Sequence, residues 1–281
     1  RMTACSRPGP RSNGCWVTRI DSARDRPPPG PAPGRVAIWW RTLEFSALAL
    51  VTALSPGSYD RDMRRATAHQ IYLSGWQALP GFLLACAVLG VVLIRIVVDT
   101  ARDFGQSQYA LELSVRVLVL ELIPLLAALS VALRSGAAIV SEVALMHVQG
   151  AFDAMRTQGR DPLRHALAPR VFGAVVAVMV LAWTSSAIVL LLAYVSMYGF
   201  SPWGVAQYLR VTGQVFGAAT VLGLVLKTLF FGMAVAAIPI GAALAIPRAV
   251  HKVPGAVMNG MVRLGIALVA IEVAFLAVTY A

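Results

Sequence analysis

Five apolar runs, each about as long as a bilayer is thick, constrain this chain more than any other feature. They fall at about 79–98, 117–141, 167–194, 228–246 and 261–280. A helix rises about 1.5 Å per residue, so about twenty residues cross a hydrocarbon core of about 30 Å. Inside that core no water satisfies backbone N–H and C=O groups, so a spanning segment of this length closes its hydrogen bonds internally as a helix. Of the 281 residues 58% are hydrophobic and 13% charged, against about 25% charged in a soluble domain. One core cannot hide that excess. The expected fold class is all-α: a polytopic integral membrane protein with five transmembrane helices, an N-terminal interfacial helix and a helical segment exposed between two spans.

The N-terminal part reads differently. Residues 1–35 contain Pro8, Pro10, Pro27, Pro28, Pro29, Pro31 and Pro33 with scattered arginines and few apolar residues, a composition that packs no core and predicts a disordered tail. No apolar h-region follows its basic residues, so no signal peptide is expected. The opening at Arg1 fits a truncated or misassigned start. The next stretch, 36–54, is apolar but carries Arg41 and Glu44, with Trp39 and Trp40 near its start. Indoles favour the membrane–water boundary, which predicts an interfacial helix on the cytoplasmic face; a first full span is the alternative. The expected organisation is a tail over 1–35 and one membrane domain over 36–281.

Charge sets the orientation. The net charge is +11, from 24 Lys+Arg and 13 Asp+Glu. The basic residues lie between apolar spans rather than on a basic domain, which argues against a nucleic-acid partner. With a cytoplasmic N-terminus, the inner segments carry Arg61, Arg64, Arg65, Arg156, Arg160, Arg164, Arg248 and Lys252, whereas the outer loops hold little beyond Arg102 and Arg210. This is the positive-inside asymmetry. It predicts a multi-pass membrane protein with a cytoplasmic N-terminus.

Enzymatic signatures are missing. Cys5, Cys15 and Cys86 form neither a metal spacing nor a disulfide framework. The sequence has no GxGxxG, HExxH or GxSxG, and no paired-carboxylate site. The nearest approach to a P-loop is Gly223 to Lys227-Thr228, where Leu226 occupies the position of the required glycine. No residue is proposed as catalytic or as a metal ligand, and any ATP and Mg would be bound by a partner.

Two groups of residues stand out. The first lies in the polar segment at about 142–165. Phe152, Met155 and Gly159 recur at i, i+3 and i+7 as an apolar stripe suited to a groove, flanked by Asp153 and Arg156. Ala154 lies within the same helix, Gly159 is placed to end it, and Asp161-Pro162 to begin the next. An amphipathic loop that solvates the surface is the plainer reading. The second group is the charges within spans: Glu121, Arg134, Glu142, Lys227 and Glu272. A charge at a helix centre costs about 2.5–3.5 kcal/mol on insertion scales, so each must face protein, water or a headgroup. They either pair with one another to hold the bundle or line a polar cavity. Lys227 is expected to divide 203–246 into an outer-boundary helix and a span, or to snorkel to headgroups.

These segments resemble a known family. Ala154 to Gly159 followed by Pro169 is similar to the coupling loop of importer permeases, and the wider match is to the MlaE/YrbE permeases of the Mla, Mce and Tgd lipid-transport systems. The similar segments are Gln70-Ile71-Tyr72 with Gly75 and Ala78-Leu79-Pro80; Phe104-Gly105; Glu121-Leu122 with Pro124; Arg134 with Gly136-Ala137-Ala138; Glu142 and Met146; Asp153-Ala154 with Gly159, Asp161-Pro162 and Pro169-Arg170; Lys227 with Phe231-Gly232; and Glu272 where the family has an Asp. The chain departs from the pattern at Leu120 (family Arg), at Gly150-Ala151 (family Glu-Gln) and at 254–259 before the last span.

The resemblance implies a permease subunit of an ABC transporter that moves phospholipid or a related lipid between the inner membrane and an MCE-domain periplasmic protein. It further implies a homodimer, a separate ABC ATPase subunit reached through 147–165 as the coupling helix, and a STAS-domain accessory protein. Membrane lipid would be the cargo. A small-solute importer permease and a non-transporting scaffold are the alternatives.

Overall fold

The computed structural model describes residues 79–105, 112–159, 162, 166–247 and 249–280. The expected tail at 1–35 and interfacial helix at 36–54 lie outside the described residues, as does Asp161. Every regular element among the described residues is helical. They are α1 (Leu79–Asp103), α2 (Glu112–Val148), α3 (Ala151–Thr157), α4 (Ala168–Tyr198), α5 (Val205–Val215), α6 (Ala218–Leu244) and α7 (Val253–Tyr280). Five of them, α1, α2, α4, α6 and α7, are long and apolar enough to cross a membrane.

The spans outrun the apolar runs that announce them. α2 has 37 residues, about 55 Å at the helical rise, well beyond a hydrocarbon core. It absorbs the polar stretch from Glu142 to Val148, so the break before α3 is only Gln149-Gly150. α7 begins at Val253 rather than near 261 because Pro254 sits in its first turn, where a missing N–H costs nothing. Lys227 does not divide 203–246. The chain breaks instead at Phe216-Gly217, where Gly217 is extended (φ −64°, ψ 162°), and α6 runs unbroken through Lys227. The lysine needs no boundary because its charge is met inside the bundle. The expected outer-boundary helix is α5 alone, with Tyr208 and Val215 buried and Gln207, Arg210 and Gln214 exposed.

α2 is not a uniform α-helix. Its turns widen to the π form at Val115–Leu122 and again at Ala132–Gly136, a distortion that is rare and gathers at functional sites. Glu121 lies in the first and Arg134 in the second.

The core comprises two apolar clusters stacked along the bundle. One holds Ile94 and Val98 of α1, Leu118, Val119, Leu120 and Ile123 of α2, Val189 of α4 and Leu224 of α6. The other holds Val140 of α2, Val178 of α4, Phe231 and Ile240 of α6 and Leu264 of α7, and reaches Phe152 of α3. α6 touches α4 and α7 most extensively. Outward, Leu84, Val92, Trp183, Leu191, Val262 and Ile266 are exposed. A water-soluble surface would not carry such a shell, but a lipid-facing one does. Buried hydroxyls close on their own helices: Ser135 Oγ donates to the Val131 carbonyl at 2.8 Å and Thr228 Oγ1 to that of Leu224 at 3.0 Å.

Between apolar helices in lipid, close approach supplies the dispersion energy that hydrophobic burial supplies in water. The tightest crossing is α4 against α6. A Cβ on Gly232 would stand 2.5 Å from the Val175 Cα, a backbone atom that cannot rotate away. Gly232→Ala is therefore expected to force the two helices apart at a cost of about 1–3 kcal/mol, read as a lower midpoint of thermal unfolding in detergent. Gly223→Ala, with nothing within 4 Å of the added atom, is expected to leave that midpoint unchanged.

Candidate functional site

The buried charges meet at one point. Lys227 projects from α6 between two carboxylates, Glu121 of α2 and Glu272 of α7. Its Nζ contacts Glu121 Oε2, lies 2.9 Å from Glu272 Oε1 and donates to the Leu120 carbonyl at 3.2 Å. An ammonium has three N–H bonds, and here each has an acceptor. The Leu120 carbonyl is available because it lies in the widened turn of α2, where the regular i→i+4 ladder is interrupted. All three side chains are largely removed from the surface, Lys227 the most, at 4% exposed. Glu272 Oε2 is buried with no hydrogen-bond partner among the described residues. The triad lies beside the junction of the two apolar clusters, between Leu224 of one and Phe231 of the other along α6.

Arg134 and Glu142 do not join it. Arg134 is exposed on the second widened turn of α2. Glu142, also exposed, faces across to the start of α4, where Arg170 Nη2 stands 3.1 Å from its Oε2. Arg170 also donates to the Ala166 carbonyl. This bridge ties the two ends from which α3 hangs. The sequence reading named Arg170 only within a motif and gave it no partner.

α3 is bounded by two glycines in the left-handed region, Gly150 (φ 74°) and Gly159 (φ 73°), a conformation that favours residues without a Cβ. Each turns the chain sharply, and Gly159 follows the helix as the spacing predicts. The apolar stripe points inward. Phe152 is 8% exposed, its ring 6.4 Å from that of His147, and Met155 packs against the same core. Pro162 is buried as well. The groove that receives the stripe is thus the protein's own. The outward face is Ala154, Arg156, Thr157 and Gln158, with Arg156 3.9 Å from Asp153 in a solvated pair that adds little to stability.

At the opposite end, tyrosines bind α5 to α4. Tyr208 donates to the Leu190 carbonyl at 2.8 Å and meets Tyr194 edge-on at 5.3 Å, while Tyr194 stacks on Tyr198 and donates to the Ser201 carbonyl. Burial raises the Tyr208 phenol above its usual pKa. With exposed Phe200 and Trp203 nearby in sequence, this is the aromatic belt of a membrane boundary.

The triad generates a test. Lys227→Met leaves two buried carboxylates facing each other, and removing one partner of a buried ion pair costs about 3–5 kcal/mol. The expected result is loss of folded protein from detergent extracts. The neutral triple variant E121Q/K227M/E272Q removes every charge together and is expected to recover a monodisperse, thermally cooperative protein.

Comparison with known proteins gives this arrangement a family. Residues 67–278 match the family model described as Permease MlaE, a range that includes the triad, α3 and all five spans. The chain is 28% identical over 200 residues to a probable ABC transporter permease protein of Rickettsia typhi, covering 69% of this chain and 73% of the relative. A probable ABC transporter permease protein of Rickettsia prowazekii matches at 28% and one of Rickettsia conorii at 29%, each with the same coverage. The family model matches most of the chain and the fold is a five-span helical bundle, so this chain belongs to the MlaE permeases and is a multi-pass ABC transporter permease.

Proposed function

We propose that the protein is the membrane subunit of a transporter that moves phospholipid or a related lipid, and that it works as a homodimer with a separate ABC ATPase below and an MCE-domain protein above. The observation that carries the coupling half of this reading is α3. It is a short surface helix pinned by Phe152 into the core, hinged at two left-handed glycines, and hung between α2 and α4, which the Glu142–Arg170 bridge holds together. A push on its outer face passes directly to two spans. The resemblance to the MlaE permeases supports the lipid cargo.

On this reading the protein sits in a bacterial inner membrane with a cytoplasmic N-terminus. The permease unit spans 36–281, with 1–35 as a tail. The α3 end of the bundle faces the cytoplasm, which the arginine-rich flanks of α3 support. Arg134, exposed on α2, is the natural place for a second copy to cover a charge. A STAS-domain protein is a further partner at the cytoplasmic face. Gly150 favours this reading over an inert scaffold: it replaces a polar family residue, yet its φ of 74° is what turns the chain into α3.

The test separates ATPase coupling from folding. A154E/R156E alters only the outward face of α3. It is expected to lower ATPase co-purification by at least tenfold while leaving the thermal midpoint within about 1 °C, as surface changes do. Phe152→Asp is expected to lower the midpoint as well, because it buries a charge. Normal ATPase retention by A154E/R156E would remove α3 from the contact. Mass spectrometry of lipid extracted from the complex tests the cargo: bound phospholipid is expected, and a bound small solute without lipid would favour an ordinary importer.

A further inference from the structure

The bundle holds a second site, at the end that carries α3 and away from the triad. Where α6 ends and α7 begins, an open cavity of about 490 Å³ is lined by His251, Lys252, Asn259 and Arg263, with Ala242 and Ala256 leaving room between them. No acidic side chain lines it. Among the described residues none of the three basic groups makes an ion pair. This sets Arg263 apart from Lys227, whose three N–H bonds all have acceptors. Arg263 lies eleven positions beyond Lys252 on the last span, about 16 Å along its axis. A helical Cα–Cβ bond tilts toward the N-terminus, so the Arg263 side chain leans back toward the cavity it lines. A guanidinium at that depth needs an anion. The outer face of the same helix continues upward as Met258, Val262, Ile266, Val269 and Val273, all exposed, a track of apolar side chains about the length of an acyl chain.

We propose that this cavity binds the phosphate of an acidic phospholipid from the leaflet at the α3 end, with Lys252, Asn259 and Arg263 on the headgroup and the acyl chains along α7. Guanidinium suits phosphate because its N–H fork matches two oxygens, and basic pockets between spans take anionic headgroups in this manner. Such a lipid would be a resident of the protein rather than its cargo, so the site does not depend on which substrate the permease moves. Because the cavity includes the turn joining α6 to α7, an occupied site would brace the two helices that supply Lys227 and Glu272.

The experiment uses the full chain, purified in mild detergent with its ATPase and titrated with phosphatidylglycerol or phosphatidylcholine, with retention read by native mass spectrometry. The wild type is expected to retain one phosphatidylglycerol per protomer in preference to phosphatidylcholine. K252Q/R263Q is expected to retain at least tenfold less while keeping its ATPase, and to lose the rise in thermal midpoint that added phosphatidylglycerol gives the wild type. R95Q/R102Q, which removes the same charge elsewhere on the surface, is expected to behave as wild type. If millimolar inorganic phosphate displaces the lipid, the phosphate is the recognised group; if it does not, the acyl track contributes, and both support a headgroup site. Equal retention by wild type and K252Q/R263Q would overturn the proposal, as would equal loss in R95Q/R102Q. Loss of the ATPase from K252Q/R263Q without any phosphatidylglycerol preference in the wild type would overturn it in favour of a protein contact.

Discussion

A lysine within a bilayer-spanning helix is tolerated only where counter-charges meet it, and α2 and α7 each hold a carboxylate against Lys227. That condition fixes the relative height of three spans. A helical residue advances about 1.5 Å along the axis and about 100° around it, so a slip of one residue in any of the three rotates its charge away from the others. Apolar helices in lipid have little to choose between registers, since one alkyl face packs much like the next. Here the penalty for an unmet charge makes the choice. The third acceptor, the Leu120 carbonyl, adds a backbone constraint to the two ionic ones.

Around that fixed point the bundle is built for proximity rather than bulk. Gly232 brings α6 onto α4, and Gly260 on α7 would place an added Cβ 3.1 Å from that of Ala242, so α6 has small-residue contacts with both α4 and α7 beyond Lys227 along its axis. α2 departs most from ideal geometry, with two widened turns. The charges that distinguish it, Glu121 and Arg134, sit one in each. Widening a turn shifts every later side chain around the helix axis. Glu121 and Glu142, on one continuous helix, stand about 31 Å apart along its axis and so meet different neighbours, Lys227 and Arg170.

What the sequence made legible was what depends on local composition. Long apolar runs announced all five spans, Gly159 marked the end of α3 but nothing marked its start at Gly150, and Gln207, Arg210 and Gln214 marked α5 as something other than a span. The misplacements share a cause. Lys227 looked like a boundary because a lone lysine in an apolar run is expensive, and the partners that remove the expense lie 106 and 45 positions away. The extra turns of α2 at Glu142–Val148 were hidden because hydropathy marks the membrane, not the helix. The widened turns of α2 left no trace that composition or periodicity detects, since Val115–Leu122 carries ordinary apolar residues. The sequence named Glu121, Lys227 and Glu272 together with Arg134 and Glu142 as charges that either pair or line a cavity, and the geometry that joins these three alone came from the fold.

The stripe on α3 shows a different limit. Phe152 and Met155 at helical spacing describe one apolar face, and periodicity says that such a face is covered without saying by what. Both occupants, a partner's groove and the protein's own core, satisfy the same pattern. Length decides between them. A helix of seven residues is too short to be stable in water by itself, so it persists on the surface only if its apolar side is already docked. The inward seat of Phe152 is thus a precondition for α3 to exist before any partner arrives. What remains for a partner is small and polar, Ala154 with Arg156, Thr157 and Gln158. A contact made through such a face draws its strength from hydrogen bonds and shape, and the proposed coupling role, in which the contact is made and broken repeatedly, is better served by that than by an apolar anchor.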